Sequence, residues 1–262
     1  MPLERISALL AKAERTDNEH EADAYLMKAQ ALATAASIDL ALAQAHIKKK
    51  EERTSPEMRT VTIGEKGKRA NQHLIALFIA AAHANDVQVD IASNSTFVIA
   101  YGMPSDLDVV ATLFTSLAVQ MVTSGQRWIK LGSWRGETYV AVTRERGRSL
   151  RKVREHTVST IRVAFYQAYI TRISERLQEA RESVVVIANV EKSSPGALVL
   201  RVKAKEIADF HSTESKARGA WQGYSGQMRN DRSSATKAGR SAANSARLGH
   251  QNAVGGKGEL SR

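Results

Sequence analysis

The chain has 262 residues, no cysteine and a formal net charge of +11. The lack of cysteine excludes a disulfide framework, a thiolate metal site and a cysteine nucleophile from these residues. The N-terminus shows no charged leader followed by a long apolar run, and the strongly apolar stretch Leu74 to Ala82 is too short to span a bilayer. We therefore expect a cytoplasmic protein that does not associate with a membrane.

The first 54 residues read as a helical domain. A short amphipathic helix is followed by Thr16-Asp17-Asn18-Glu19, which has the form of a capping box and predicts the start of a second helix. Ser37 is a candidate N-cap for a third helix that runs to about Glu52. The first two helices would make a hairpin with a Leu- and Ala-rich seam, and such a hairpin offers a surface to a protein partner.

Residues 55–211 carry the pattern of a central α+β domain. A weak strand is predicted near residues 57–64, an apolar helix over residues 74–82, and a hairpin of two strands over residues 87–101. An amphipathic helix then follows Ser105 and is expected to stop near Gly125. Its first turn holds Asp106 and Asp108, acidic residues of the kind that favour a helix N-terminus.

The later part of this domain mixes strand and helix signals. A strand is predicted over residues 138–142, a long helix over residues 149–183, and a final helix over residues 204–211. The β-branched run 184–190 and the alternating run 197–203 predict two further strands. The fold class expected for the whole chain is α+β, with a helical hairpin before a small sheet that is packed by helices.

The last segment, residues 212–262, is basic and rich in Ser, Ala, Gly and Arg. It contains few large apolar residues, so we expect a basic and largely disordered tail. A helix could still form in it when something docks on the alanines Ala238, Ala242, Ala243 and Ala246.

Several stretches resemble a protein family found in actinobacteria, other bacteria and their phages. The N-terminal stretch ERISALLAKAERTDNEHEADAYLMKAQALATAASID is similar to the family's first domain, which is catalogued as a domain of unknown function. The stretches YGMPSDLDVVATLFTSL, RVAFYQAYITRISERLQEA and ALVLRVKAKEI resemble its companion domain. The segment from Trp128 to Arg148 matches least. Because the family has no assigned activity, the resemblance implies a domain layout and no catalytic residue.

Two sets of residues could hold a metal ion. The carboxylates Asp86, Asp90, Asp106 and Asp108 could share Mg²⁺, although the last two already suit a helix start. His73 and His83 flank one predicted helix, but ten residues of helix separate them by about 15 Å. No ligand motif such as H-E-x-x-H is present, so we expect no metal and no cofactor. A metal-dependent hydrolase or nuclease remains the alternative function.

The distribution of charge gives the strongest functional indication. Residues 1–126 carry 12 Lys and Arg against 15 Asp and Glu, whereas residues 127–182 carry 13 against 6. Such asymmetry favours a polyanionic partner for the second half of the chain, DNA or RNA. The residues we expect to contact it are Arg144, Arg146, Arg148, Arg151, Lys152 and Arg154, with Trp134 for base stacking.

The function predicted from sequence is therefore that of a non-enzymatic, nucleic-acid-associated protein or a phage-related accessory factor. No catalytic motif supports the enzymatic alternative, and no defined binding motif identifies the nucleic acid.

Overall fold

A computed structural model describes residues 2–15, 18–46, 54–145, 148–190, 196–219, 221 and 233–246. The helices of this part of the chain are α1 Pro2–Arg15, α2 Glu19–His46, α3 Ala70–Ala84, α4 Pro104–Leu131, α5 Val158–Val190, α6 Gly196–Glu214 and α7 Ser234–Asn244. The strands are β1 Glu57–Thr62, β2 Gln88–Ile91, β3 Phe97–Gly102, β4 Thr138–Glu145 and β5 Arg148–Glu155. The predicted α+β class, with a pair of helices at the N-terminus, is confirmed.

The described residues form two antiparallel sheets. The larger has the strand order β1-β3-β2, with Arg59 opposite Ala100 and Val89 also opposite Ala100. The predicted hairpin of β2 and β3 is confirmed, and the side chain of Asn94 accepts a hydrogen bond from the backbone amide of Thr96 in its turn. The smaller sheet contains β4 and β5 alone.

One apolar core joins the helices to the larger sheet. It is lined by Ile75 and Phe78 of α3, by Leu113, Leu117 and Met121 of α4, and by Phe165, Tyr169 and Ile173 of α5. The same core extends to Ile6, Leu10 and Leu26 of α1 and α2. The boundary predicted at residue 54 therefore separates segments that share buried contacts.

Helix α4 is long and apolar enough to cross a membrane by length and composition, and no other described helix is. Its residues Leu113, Leu117 and Met121 are buried against other parts of the chain. Their burial explains the apolar composition, because a core helix needs such a face.

Four predicted elements differ from the structure. Helix α2 continues through Ser37, so no third helix begins there. Residues 184–190 extend α5, and residues 197–203 lie in α6. Propagating an existing helix is far easier than nucleating one, which lets α5 absorb its β-branched end. Residues 149–155, predicted as the start of the long helix, belong to strand β5.

The expected stop at Gly125 is a packing position instead. A Cβ atom at this glycine would lie 2.5 Å from the Tyr166 ring, so its small size lets α4 and α5 approach closely. The helix ends at Gly132, whose φ of 71° is the left-handed conformation that favours glycine. At its other end, Pro104 occupies the first helical position and Met103 is the N-cap.

The tail contains more structure than its composition indicates. Helix α6 runs to Glu214, and α7 packs along α5 with Ala235 and Ala243 fully buried. A Cβ atom at Gly239 would lie 2.3 Å from the Phe165 carbonyl oxygen, which shows how closely the two helices approach. The buried guanidinium of Arg176 donates a hydrogen bond to the Ala243 carbonyl. The predicted docking alanines thus find their partner within the same chain.

The first predicted cap lies partly outside the described residues, which omit Thr16 and Asp17. Beside them, the Asn18 side chain accepts a hydrogen bond of 3.0 Å from the His20 amide at the start of α2. Asparagine in this position provides the acceptor that a helix N-terminus requires.

Candidate nucleic-acid interface

The basic run predicted from sequence forms a two-stranded ribbon. Strands β4 and β5 pair over their full length of eight residues each, with Val140 opposite Val153 and Ala141 opposite Lys152. Strong pairing is expected here because Thr, Tyr and Val favour extended structure. Neither strand pairs with the larger sheet, so no other described strand pairs with the outer edges of the ribbon.

Alternation along the strands sorts the side chains onto two faces. Tyr139, Ala141, Lys152 and Arg154 share one face, which we call the lysine face. The opposite face, which we call the valine face, carries Thr138, Val140, Arg151, Val153 and Glu155. Where side chains are described, the lysine face holds two cations and no acid, whereas Arg151 and Glu155 balance each other on the valine face.

The described cations of the ribbon are accessible to a ligand. Arg151, Lys152 and Arg154 are exposed. Within the described residues, neither Arg151 nor Arg154 forms a salt bridge with a carboxylate. Both guanidinium groups can therefore bind a phosphate without first breaking an ion pair.

Two of the remaining basic residues, Arg144 and Arg148, lie near the tip of the ribbon. The backbone of Arg144 pairs with Ser149, and that of Arg148 pairs with Glu145. Arg146 falls outside the described residues. The structure thus brings five of the six predicted basic residues onto one β-ribbon.

The base of the ribbon is fixed by a small set of contacts. The rings of Tyr139 and His156 stack with centroids 4.8 Å apart, and the His156 amide donates a 2.9 Å hydrogen bond to the Glu137 carbonyl. The Glu137 carboxylate in turn accepts a 3.1 Å hydrogen bond from the Ser234 amide at the start of α7. His156 Nδ1 also lies 3.3 Å from the Thr160 hydroxyl of α5, so the ribbon is anchored both to α5 and to the helix of the tail.

Trp134 does not have the role predicted for it. Its side chain is in the core, with 7% of the residue exposed, and its indole Nε1 donates a 3.1 Å hydrogen bond to the Ile129 carbonyl. A base cannot stack on a ring that the protein already covers, so we exclude Trp134 from the interface. The loop between α4 and β4 places it inward because Gly132 and Gly136 both turn the chain with positive φ.

A second polar cluster lies deep in the molecule around Lys203 of α6. Its ammonium is 2.8 Å from an Asp86 carboxylate oxygen and 3.0 Å from an Asp106 carboxylate oxygen. It also donates a 2.6 Å hydrogen bond to the Ser37 hydroxyl, and Arg181 forms a further ion pair with Asp86. Burial raises the pKa of Asp106, and the nearby ammonium of Lys203 opposes that rise.

The Lys203 cluster has the features of a structural ion-pair network. Two cations, Lys203 and Arg181, balance two carboxylates, so no net charge is left to attract a ligand. The space beside it is about 10 Å³, which is room for about one water molecule and far below the volume of a substrate pocket.

The carboxylates predicted as a possible Mg²⁺ site are divided among three sites. Asp86 and Asp106 pair with Lys203, Asp108 pairs with Arg59, and Asp90 lies beside His211. Asp106 thus does more than favour the start of α4. In the part of the chain that the structure describes, no three His, Asp or Glu residues are grouped to hold a metal ion.

Asp90 forms a cluster that ties the end of α6 to the larger sheet. Its carboxylate accepts hydrogen bonds from the Tyr101 hydroxyl at 2.9 Å and the Ser215 hydroxyl at 2.7 Å, and it lies 2.9 Å from His211 Nε2. Burial acts to raise the pKa of Asp90, but these three partners together hold it below its usual value. Ser215 bonds to the carboxylate and not to the imidazole, which differs from the order of a catalytic triad.

The two histidines weighed as metal ligands have different surroundings. His73 is buried with its ring edge against Tyr166, and burial lowers its pKa to about 4. His83 is exposed near the other end of α3. The helix therefore directs one ring into the core and the other into solvent.

Sequence reasoning missed Lys203 because residues 197–203 were interpreted as a strand. On a helix, Leu200, Lys203 and Ile207 follow the i, i+3, i+7 spacing of a buried face. A lysine within such a face signals a buried ion pair, since a lysine is rarely buried without a partner. No comparable signal links Asp90 to His211 and Ser215, which are 121 and 125 residues away.

Comparison with known proteins gives one match. Residues 3–40 match a family model described as "Protein of unknown function (DUF2786)". The match covers α1 and most of α2 and does not reach the ribbon. No curated protein and no solved structure matches the chain. The N-terminal helix pair is thus similar to a domain family whose function is unknown.

Proposed function

We propose that this protein binds nucleic acid through the β4–β5 ribbon, with basic side chains contacting phosphate groups. The observation that carries the proposal is the position of the basic run. Its described residues lie on a two-stranded sheet that pairs with no other described strand, and Arg151, Lys152 and Arg154 are exposed there.

The electrostatics of the chain support this assignment. The segment that contains the ribbon, residues 127–182, has 13 basic and 6 acidic residues. Neutralising phosphates releases condensed counterions, so binding by these residues would be strong at low salt and fall steeply as salt rises. The free guanidinium groups of Arg151 and Arg154 also match phosphate oxygens in a two-pronged geometry that lysine cannot provide.

Fluorescence anisotropy with labelled oligonucleotides across a salt series tests the proposal. The variant Arg151→Gln/Lys152→Gln/Arg154→Gln should bind at least about tenfold more weakly at low salt, and its salt slope should be flatter by up to about 3. The matched control is Arg201→Gln/Lys205→Gln/Lys216→Gln, which removes the same charge from exposed positions of α6 and the segment after it.

Two results would contradict the proposal. The first is an absence of binding by the wild-type protein even at low salt. The second is an equal loss in both triple variants, because that would indicate attraction by net charge without a role for the ribbon.

A further inference from the structure

The shape of the ribbon and the surroundings of its aromatic residues identify the class of nucleic acid. We infer that the ribbon binds double-stranded B-form DNA, with its lysine face in the major groove. This inference rests on the proposed function of the ribbon.

The first step is the fit of the two-stranded ribbon to the grooves of DNA and RNA. The major groove of B-DNA is about 12 Å wide and admits a two-stranded β-ribbon, whereas the major groove of A-form RNA is too narrow for side chains to read. Each strand of the ribbon has eight residues. At about 3.4 Å per residue the ribbon is roughly 25 Å long, which corresponds to about seven base pairs.

The second step is the lack of a stacking surface. Proteins that bind single strands stack bases on exposed aromatic rings. Near the ribbon, Trp134 is buried, Trp128 stacks on Phe165 with ring centroids 5.8 Å apart, and Tyr139 stacks on His156. Each of these rings is already engaged within the protein, so the ribbon offers a single strand charge but no stacking platform.

The third step identifies the face of the ribbon that contacts the DNA. Lys152 and Arg154 are neighbours on the lysine face. The valine face exposes Val140 and Val153, which are 55% and 71% exposed, around the single described cation Arg151. Base edges and phosphates both favour the cationic face, since arginine and lysine make the most frequent contacts with guanine.

Binding to equal-length double-stranded DNA, single-stranded DNA and double-stranded RNA tests the ligand class. At one salt concentration we expect the double-stranded DNA to bind about tenfold or more tightly than either of the others. Equal or tighter binding of single strands or of double-stranded RNA would overturn the inference and leave nucleic-acid binding by the ribbon standing. No binding to any of the three would instead contradict the proposed function itself.

A pair of single variants tests the face. Arg154→Gln and Arg151→Gln remove the same charge from one strand, but from opposite faces. We expect Arg154→Gln to weaken binding to double-stranded DNA by at least about fivefold, as loss of a groove contact does. Arg151→Gln removes a phosphate contact only and should weaken it by about two- to threefold. An equal or larger effect of Arg151→Gln would overturn the assignment of the lysine face. Val153→Thr keeps a β-branched residue on the valine face and should leave affinity unchanged.

Discussion

Lysine is usually found at the protein surface, but only 5% of the Lys203 side chain is exposed. The buried ammonium group is stabilised by Asp86 and Asp106, because a charge removed from water needs partners close enough to replace its hydration. The three residues come from α6, the turn after α3, and α4, so one ammonium group joins three parts of the fold. The same interactions make the site sensitive to the loss of any one partner.

Lys203→Met should therefore lower the free energy of unfolding by about 3–5 kcal/mol, because it leaves the buried Asp106 without a cation and Asp86 with Arg181 alone. Lys205→Met, on an exposed position of the same helix, should change it by less than about 0.5 kcal/mol. Urea denaturation of both variants measures the difference. Equal stability of the two would show that the buried network contributes nothing to folding.

His73 predicts a second effect at the residue scale. Its pKa falls from 6.5 to about 4 on folding, mainly because burial disfavours the imidazolium. The unfolded chain thus binds this proton more readily, so the free energy of unfolding should decrease as pH falls from about 6.5 to 4 and stop changing through this group below that range. The expected loss is on the order of 3 kcal/mol.

The pH dependence of urea unfolding between pH 5 and 7 isolates this contribution. His73→Gln should flatten the slope in that window, whereas His83→Gln, on an exposed position of the same helix, should retain it. Retention of the wild-type slope by His73→Gln would show that another group causes it.

Among the elements, α7 is the helix that forms within the segment expected to be disordered. It is a short helix rich in small residues, and Gly239 lets it lie against the backbone of α5. Alanine is a better helix former than glycine by about 1 kcal/mol, so propensity alone predicts that Gly239→Ala stabilises α7. Steric contact predicts the opposite, because the new methyl group would meet the Phe165 carbonyl oxygen.

We expect the steric contact to outweigh the gain in helix propensity, so Gly239→Ala should displace α7 from α5. Trypsin cleavage after Lys237 and Arg240, two residues within α7, should become faster by about tenfold or more as the helix spends more time detached. Ser241→Ala changes an exposed residue of the same helix and should leave the rate unchanged. Slower cleavage of Gly239→Ala would show that intrinsic propensity controls this segment.

The elements also show which sequence signals were informative. Alternation and β-branched residues located β2, β3 and β4 correctly, because each of these strands pairs with a strand that is close to it in sequence. The same signal failed in α6, where Leu198 and Val202 alternate with their neighbours yet are 62% and 61% exposed. The burial of Leu200, Lys203 and Ile207 depends on contacts with distant helices, which local patterns do not contain.

The candidate interface could be predicted only in part for the same reason. A basic run is visible in the sequence, but its division between two faces follows from the register of β4 with β5. Trp134 was misplaced because proximity in sequence does not determine which way a loop directs its side chains. Its burial depends on the turn between Gly132 and Gly136 and on the core beneath it.

At the scale of the whole molecule, the helical core acts as a scaffold from which one charged element extends. The larger sheet and α3, α4 and α5 bury the apolar residues, and the ribbon is attached through Tyr139, His156 and Glu137. The tail contacts the same attachment point, because the Ser234 amide donates a hydrogen bond to the Glu137 carboxylate. The ribbon can thus be altered at its tip without changing residues of the core.

Because the tip is separate from the core, a variant with a shortened ribbon can test the central claim that the ribbon binds nucleic acid. Val140 and Val153 face each other across the strands, so Asn-Gly can join them in place of residues 141–152. The deletion removes five of the six predicted basic residues, Arg144, Arg146, Arg148, Arg151 and Lys152, and retains the Tyr139–His156 stack. We expect a cooperative melting transition within a few degrees of the wild-type protein.

The decisive measurement is the affinity of this folded, shortened protein for labelled double-stranded DNA at low salt, compared with the wild-type protein. Loss of at least about a hundredfold in affinity, with the melting transition retained, is the result that a phosphate-binding ribbon predicts. Wild-type affinity in the shortened protein would contradict the account, because the contacts would then have to come from another surface of the molecule.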